Sequence, residues 1–210
     1  MIRPAYLEAA LTAADLLAHP AVARDWPQPS ALAKMSVGGL AAHLGQQLFN
    51  VSQALAEENA DEAPIGLLDH YSRVPWLGAD LDNEANSGIR AGSEDQAAAG
   101  PDVLVTRVRA EAGHLRSRLA AEPPGRVVRL PWTGWCLTLD DLLVTRMMEI
   151  AVHSDDLAVS VGVAAPRLPD AVLDPVLDLL TRLSARRHGS LAVLRALSRA
   201  ERAPTSISAF

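Results

Sequence analysis

The chain has 210 residues, 49% of them hydrophobic and 21% charged, the composition of an ordinary globular domain with a sizeable core. A net charge of −6 and a pI near 5.5 argue against a nucleic-acid partner held by basic charge. The single cysteine, Cys136, excludes an internal disulfide and any cysteine-rich metal site. No uncharged apolar run approaches a membrane span, and the N-terminus lacks the apolar segment of a signal peptide, so the expected location is the cytoplasm with no membrane partner.

Aromatic residues supply only 4% of the chain, and Ala and Leu dominate, which favours helix-on-helix packing. A first helix is predicted from about Pro4 to Ala18, with Leu7, Leu11 and Leu16 inward. Pro20, Pro27 and Pro29, with Trp26 among them, mark a loop. Ser36 then reads as the N-cap of a second helix running toward Glu58, with Leu40, Leu44, Leu48, Val51 and Leu55 as its apolar stripe. Pro64 to Gly100 is punctuated by Gly, Asn and Asp, and predicts short helical turns with a long loop over the core. A third long helix runs from about Pro101 to Ala121, burying Val105, Val108, Ala112, Leu115 and Leu119, and Pro123-Pro124-Gly125 stops it.

Val127 to Trp135 carries β-type residues and predicts a short strand or hairpin arm leading to Cys136. Thr138 is the predicted N-cap of a fourth long helix, with Asp140 and Asp141 complementing the dipole in its first turn and Gly162 at its end. Pro166 to His188 and Leu191 to Arg199 predict two further helices. The expected fold is all-α, an antiparallel four-helix bundle over residues 1–165 with a helical C-terminal extension, 166–210, packed on it.

The fourth helix contains Arg146-Met147-Met148-Glu149-Ile150-Ala151-Val152-His153-Ser154-Asp155-Asp156-Leu157. Helical periodicity puts Arg146, Glu149, His153 and Asp156 within an arc of roughly 80°. Carboxylate and imidazole groups in an apolar segment are costly unless they pair or hold a metal, and Glu and His four residues apart form a two-toothed claw for a divalent ion. A third ligand belongs on a facing helix beside its apolar stripe. His43, between Leu40 and Leu44 with Gln47 one turn on, meets that description. Two imidazoles and one carboxylate suit Zn²⁺, Ni²⁺ or Fe²⁺ and leave an open position. The plainer reading is a core-edge His43 bonded to a carbonyl and an Arg146 paired along its own helix with Glu149 or Asp156. Asp156 is better placed to orient a ligand or bind substrate than to coordinate.

The segment Gly38-Gly39-Leu40-Ala41-Ala42-His43-Leu44, after a loop containing Trp and Pro, resembles the second-helix signature of mycothiol-dependent maleylpyruvate isomerase-like proteins, members of the DinB-like superfamily. The segment from Thr145 through Arg146, Glu149, His153 and Asp156 to Leu157 resembles their fourth-helix signature, and the likeness spans roughly residues 4 to 162. The resemblance implies a DinB-like bundle whose metal, most simply zinc, is held by His43, Glu149 and His153. It also implies mycothiol as thiol cosubstrate, with Gln47 and Asp156 toward that cofactor and Asp156 and Arg146 in catalytic roles. The isomerase of the family has a distinct α/β C-terminal domain that contributes to its substrate site, whereas the residues after Gly162 read helical here. The implied activity is therefore metal activation of a thiol for attack on an electrophilic small molecule, without maleylpyruvate as the expected substrate.

Two alternatives stand beside it. One is a hydrolase using metal-bound water, which needs a free base such as Asp156. The other is a DinB-like binding module without an activity. Expected partners are the electrophile and a low-molecular-weight thiol, with a homodimer as the oligomer this scheme admits. Cys136, near Trp132 and Trp135, is expected to be a small buried hydrophobe. The arginines at 182, 186, 187, 195, 199 and 202 read as a solvated face or a carboxylate-holding series. His19 is expected at a helix end as a dipole-complementing cation, His70 near Tyr71 and Trp76 as a pocket-lining residue, His114 among polar positions and His188 at a helix C-terminus.

Overall fold

Four long helices carry the architecture in the computed structural model, which describes residues 1–57, 62–75, 80 and 82–210. In chain order the elements are α1 (Ile2–Leu17), α2 (Pro20–Arg24), α3 (Val37–Ala56), α4 (Leu67–Arg73), α5 (Glu84–Ala97) and α6 (Pro101–Ala121). There follow β1 (Val127–Arg129), β2 (Cys136–Thr138), α7 (Leu139–Val161), α8 (Asp170–His188), α9 (Ser190–Ser198) and a 3₁₀ turn, Ala200–Arg202. The long helices α1 and α3 each pack on both α6 and α7, closing an all-α, DinB-like bundle. Outside it, α5 lies along α3, and α8 packs on α1, α4 and α7. No helix of the described residues is long and apolar enough to cross a membrane.

Local chemistry sets the helix ends. Ser36 Oγ accepts from Gly39 N at 2.9 Å and starts α3, and Thr138 Oγ1 accepts from Asp141 N at 3.0 Å and starts α7. Each satisfies one of the donors that a helix N-terminus leaves free. Gly162 adopts φ 68°, the left-handed conformation that suits glycine, and its N–H closes α7 onto Ala158 and Val159 carbonyls. Just before α7 the antiparallel pair β1–β2 aligns Val128 with Leu137 and delivers the chain to Thr138.

The stripe Leu40, Leu44, Leu48, Val51 and Leu55 is buried throughout, as its spacing predicts. The contact face of α1 differs from expectation. Leu16 is buried as expected, but Leu11 is 41% exposed and Leu7 only half-buried, while Tyr6, Ala9, Ala10, Ala13, Ala14 and Leu17 form the rest of the buried surface. An alanine face lets the neighbouring backbones approach closely, so volume is saved where leucine was expected. Val105 on α6 is likewise half-buried, and Leu104 takes the inward position.

Between Pro64 and Gly100, where short helical turns and a long loop were expected, the short α4 agrees with the turns, and the 14-residue α5 stands in place of loop. Only Ser93 and Ala97 of α5 are buried, so the helix lacks the apolar stripe by which it would be recognised. It is capped by Asn83 Oδ1 on Asn86 N at 2.8 Å, and Glu94 anchors it to the start of α3 by accepting from Ser36 N at 2.7 Å and Ser36 Oγ at 2.8 Å. Two boundaries also move. α8 begins at Asp170 instead of Pro166, because Pro169 lacks an N–H and disfavours a helical Leu168. The described part of α3 ends at Ala56, and Glu58 lies outside the described residues.

Thr138→Ala removes the α7 cap and is expected to cost about 1 kcal/mol of stability. Urea denaturation should show a lower midpoint with an unchanged slope; an unmoved midpoint would mean the cap does not hold α7.

Candidate metal centre

His43 projects from α3 and Glu149, His153 and Asp156 from α7, the two helices that share the bundle's interior. Gly38 and Gly39 explain how α3 is set against its surroundings. A Cβ on Gly38 would lie 2.7 Å from the Trp26 indole, and one on Gly39 would run into Glu94 Oε1. Trp26 is in turn fixed by its Nε1–H to the Ala97 carbonyl at 3.2 Å, and Gly38 N donates to the Trp26 carbonyl at 2.9 Å. The glycine pair thus lets the loop and α5 close over the first turn of α3, which places His43 one turn further on.

The donor atoms of His43, Glu149 and His153 all lie within 4.8 Å of one another. Glu149 Oε2 is 3.1 Å from His153 Nε2 and 3.8 Å from His43 Nε2, and the two imidazoles meet edge to face at 4.8 Å between centroids. Side-chain exposures of 13–18% leave the three donors reachable from outside but mostly shielded from water. The far nitrogen of His153, Nδ1, sits 3.0 Å from Asp156 Oδ2, so Asp156 orients the imidazole, the part its spacing suggested.

Burial works to raise the Glu149 carboxyl, but the hydrogen bond with His153, the His43 imidazole 3.8 Å away and the charges of His153 and Arg146 hold it well below the usual carboxylate range. Burial also works to lower His153, yet hydrogen bonds to Asp156 and Glu149 carry it up to about 9. Two carboxylates on one ring therefore keep it cationic while its Nε2 is shared with Glu149 alone.

Arg146 is not an intrahelical partner of Glu149 or Asp156. Its buried guanidinium donates from Nη1 to Gln47 Oε1 at 2.7 Å and from Nε to Thr145 Oγ1 at 3.0 Å. Gln47, 1% exposed, uses its other end as well, with Nε2 donating to the His43 carbonyl at 2.8 Å. Tyr6 from α1 donates to the Gln47 carbonyl at 3.2 Å. Gln47 and Arg146 therefore form a buried bridge between α3 and α7, directly behind the donor cluster. Nothing in the sequence joined these two residues, which stand 99 positions apart.

The remaining candidates fall elsewhere. Cys136 is 1% exposed, 3.8 Å from Glu62 Oε2, and burial pushes its thiol up, as suits a small hydrophobe. His19 caps α2, its Nδ1 accepting from Ala21 N at 3.2 Å, so that nitrogen carries a lone pair in place of the expected cationic N–H. His188 Nε2 lies 2.8 Å from the Ser208 carbonyl at the end of α8. His114 is 75% exposed on the side-chain scale. Arg182 and Arg186 are exposed and paired with Asp178 and Asp69. His70 is buried against Tyr71, with centroids at 5.0 Å, and Trp76 lies outside the described residues.

An all-α bundle with a His, Glu, His cluster between its second and fourth long helices defines a DinB-like protein. The family model described as mycothiol maleylpyruvate isomerase N-terminal domain matches residues 7–158, and the chain belongs to that family. No curated protein and no solved structure is matched by it.

Gln47→Leu leaves a buried guanidinium short of an acceptor and is expected to cost about 2 kcal/mol. The double variant Gln47→Leu with Arg146→Met should be more stable than the sum of the two single losses predicts, because no charge is then left unpaired. Denaturation of the four proteins in a mutant cycle checks this; strictly additive losses would contradict the bridge.

Proposed function

We propose that His43, Glu149 and His153 bind one divalent ion, zinc before nickel or iron, and that the protein is a mycothiol-dependent transferase or isomerase acting on an electrophilic small molecule. The observation that carries this is the convergence of two imidazoles and one carboxylate from two helices, in a family whose description names mycothiol. The donor set fits the ion: nitrogen and carboxylate ligands suit zinc, and three protein donors leave a coordination position for an incoming ligand. An ion held there lowers the pKa of a thiol that joins it, so that a thiolate is available near neutral pH.

The chain's own groups support that chemistry. Asp156 accepts from His153 Nδ1, which leaves Nε2 as the coordinating nitrogen and fixes the ring plane. The two histidines, with a smaller contribution from the Arg146 charge, keep Glu149 ionised, and Gln47 holds both the guanidinium and the α3 backbone at His43. Gln47 and Arg146 act in this scheme from behind the cluster, and Asp156, partly exposed, is the one of the three that can also meet the thiol's polar groups. Cys136 takes no part, since burial pushes its thiol up. The hydrolytic alternative asks Asp156 to be a free base, and its engagement with His153 favours the thiol scheme over it. Residues 1–165 would carry the centre, with 166–210 as an extension, in a cytoplasmic protein.

Elemental analysis tests the site. Purified protein should hold about one ion per chain, and His43→Ala and His153→Ala should both lose it while far-ultraviolet dichroism keeps its helical amplitude. Metal content unchanged in either variant would overturn the ligand set. Asp156→Asn should retain the ion but bind it about 10- to 100-fold more weakly in a chelator competition, and an unchanged affinity would remove Asp156 from its orienting role.

A further inference from the structure

Most of the large hydrophobic side chains left exposed among the described residues stand singly. Leu11 on α1, Ile89 on α5, Val103 on α6, Val159 on α7 and Leu177 on α8 are isolated exposures of an ordinary kind. α9 is different. In nine residues it exposes Leu191 at 55%, Leu194 at 61% and Leu197 at 70%. At 100° per residue the three fall within an arc of about 120° on one side of the helix.

α9 is turned the opposite way from an ordinary surface helix. Its contact with α8 falls on the other side, where Val193 is 5% exposed and Ala192 and Ala196 are half-buried. Small residues therefore face the protein and leucines face outward, the reverse of the pattern that burial of apolar surface selects. Ser198 falls inside the leucine arc, but its hydroxyl is turned onto the Leu194 carbonyl at 2.6 Å and offers no free donor there.

Positive charge gathers around this face. Arg187 precedes α9, Arg195 lies on it beside the leucine arc, and Arg199 and Arg202 follow it, all four exposed. Glu201 is the single acid between Arg187 and Arg202, in a chain whose net charge is −6. Arg187, Arg195 and Arg199 have no ion-pair partner among the described residues, unlike Arg182 and Arg186 on α8. Their charge is available to an outside surface.

Size and charge select the occupant. At 1.5 Å per residue and about 10 Å in width, nine helical residues offer roughly 130 Å². A stable protein interface takes about 800 Å² from each partner. A second copy laid antiparallel across Leu194 would also bring Arg195 against its own counterpart, where like charges repel. A lipid surface needs no matching shape, and gains from each leucine and each arginine separately. No helix of the described residues is long and apolar enough to cross a membrane, so the contact is with the surface alone. We propose that α9 lies flat on an anionic lipid surface. Leu191, Leu194 and Leu197 enter the boundary between headgroups and acyl chains, and the four arginines meet acidic headgroups. This contact does not depend on the metal centre.

Sedimentation of the full chain with vesicles tests it, with equal parts of phosphatidylglycerol and phosphatidylcholine set against phosphatidylcholine alone. The protein should bind the anionic vesicles, release them as salt rises, and ignore the neutral ones. The triple variant Leu191→Gln, Leu194→Gln, Leu197→Gln and the double variant Arg195→Gln, Arg199→Gln should each bind about tenfold more weakly, with far-ultraviolet dichroism unchanged. Leu194→Cys carrying an environment-sensitive dye, with Cys136 buried and out of reach of the label, should shift its emission to the blue on anionic vesicles. No binding to anionic vesicles, equal binding to neutral ones, an unmoved dye, or unchanged affinity in either variant would overturn the proposal. A wild-type dimer in gel filtration that the leucine variant converts to monomer would overturn it too, since the face would then belong to a second copy.

Discussion

A carboxylate buried between two helices stays ionised only where donors and positive charge surround it, and the interior of this bundle is arranged around that requirement at Glu149. His153 approaches from the same helix and His43 from the facing one, while the Arg146 guanidinium adds its charge from one turn below. Arg146 raises the same difficulty in turn, since a buried guanidinium needs acceptors, and Gln47 and Thr145 supply them. Gln47 closes the circuit by bonding back to the His43 carbonyl. The outcome is a polar seam between α3 and α7 in which each member answers the desolvation of another. A buried polar seam of this kind is weak evidence of stabilisation, since breaking one member leaves another unpaired while apolar replacement of the whole costs little.

The rest of the fold sets the two sides of that seam against each other. On α3 the start is fixed by Ser36, by Glu94 from α5, and by the Trp26 indole over Gly38. On α7 the start is fixed by Thr138 at the end of the β-hairpin, and the end by Gly162. The family match, 7–158, spans every one of these devices except Gly162. The hairpin has a second consequence, because it brings Trp135 onto His70, whose Nδ1 accepts from the indole N–H. A cationic cluster partner at His153 and a neutral imidazole at His70 are opposite outcomes for the same side chain. Two carboxylates face the first, and burial, an indole and a nearby guanidinium surround the second.

Much of the centre was legible in the sequence because helical periodicity is a local rule. Glu149, His153 and Asp156 fall on one face by spacing alone, and the Leu40-to-Leu55 stripe correctly turned that face of α3 inward with His43 beside it. Capping by Ser36, Thr138 and Gly162 was readable for the same reason. What escaped was either non-local or without an apolar signature. The Gln47–Arg146 bridge joins residues 99 apart, and the plainer reading of Arg146 as an intrahelical pair drew only on its neighbours along the chain. α5 buries two small residues and shows no stripe, and α1 packs through alanines where leucines were expected. His70 was read as a pocket-lining residue near Tyr71 and Trp76, and its hydrogen bond with an indole 65 positions away was not legible.

The measurement that most directly tests a thiol-activating centre is a titration of cobalt-substituted protein with mycothiol, followed by absorption. Cobalt takes the same donor set as zinc and reports its ligands through its spectrum. If His43, Glu149 and His153 hold an ion with an open position, the tetrahedral visible bands should persist and an intense near-ultraviolet thiolate-to-cobalt band should grow to saturation at about one equivalent of thiol. Cobalt that binds without developing that band, or that does not bind at all, would contradict a thiol-activating metal centre in this bundle.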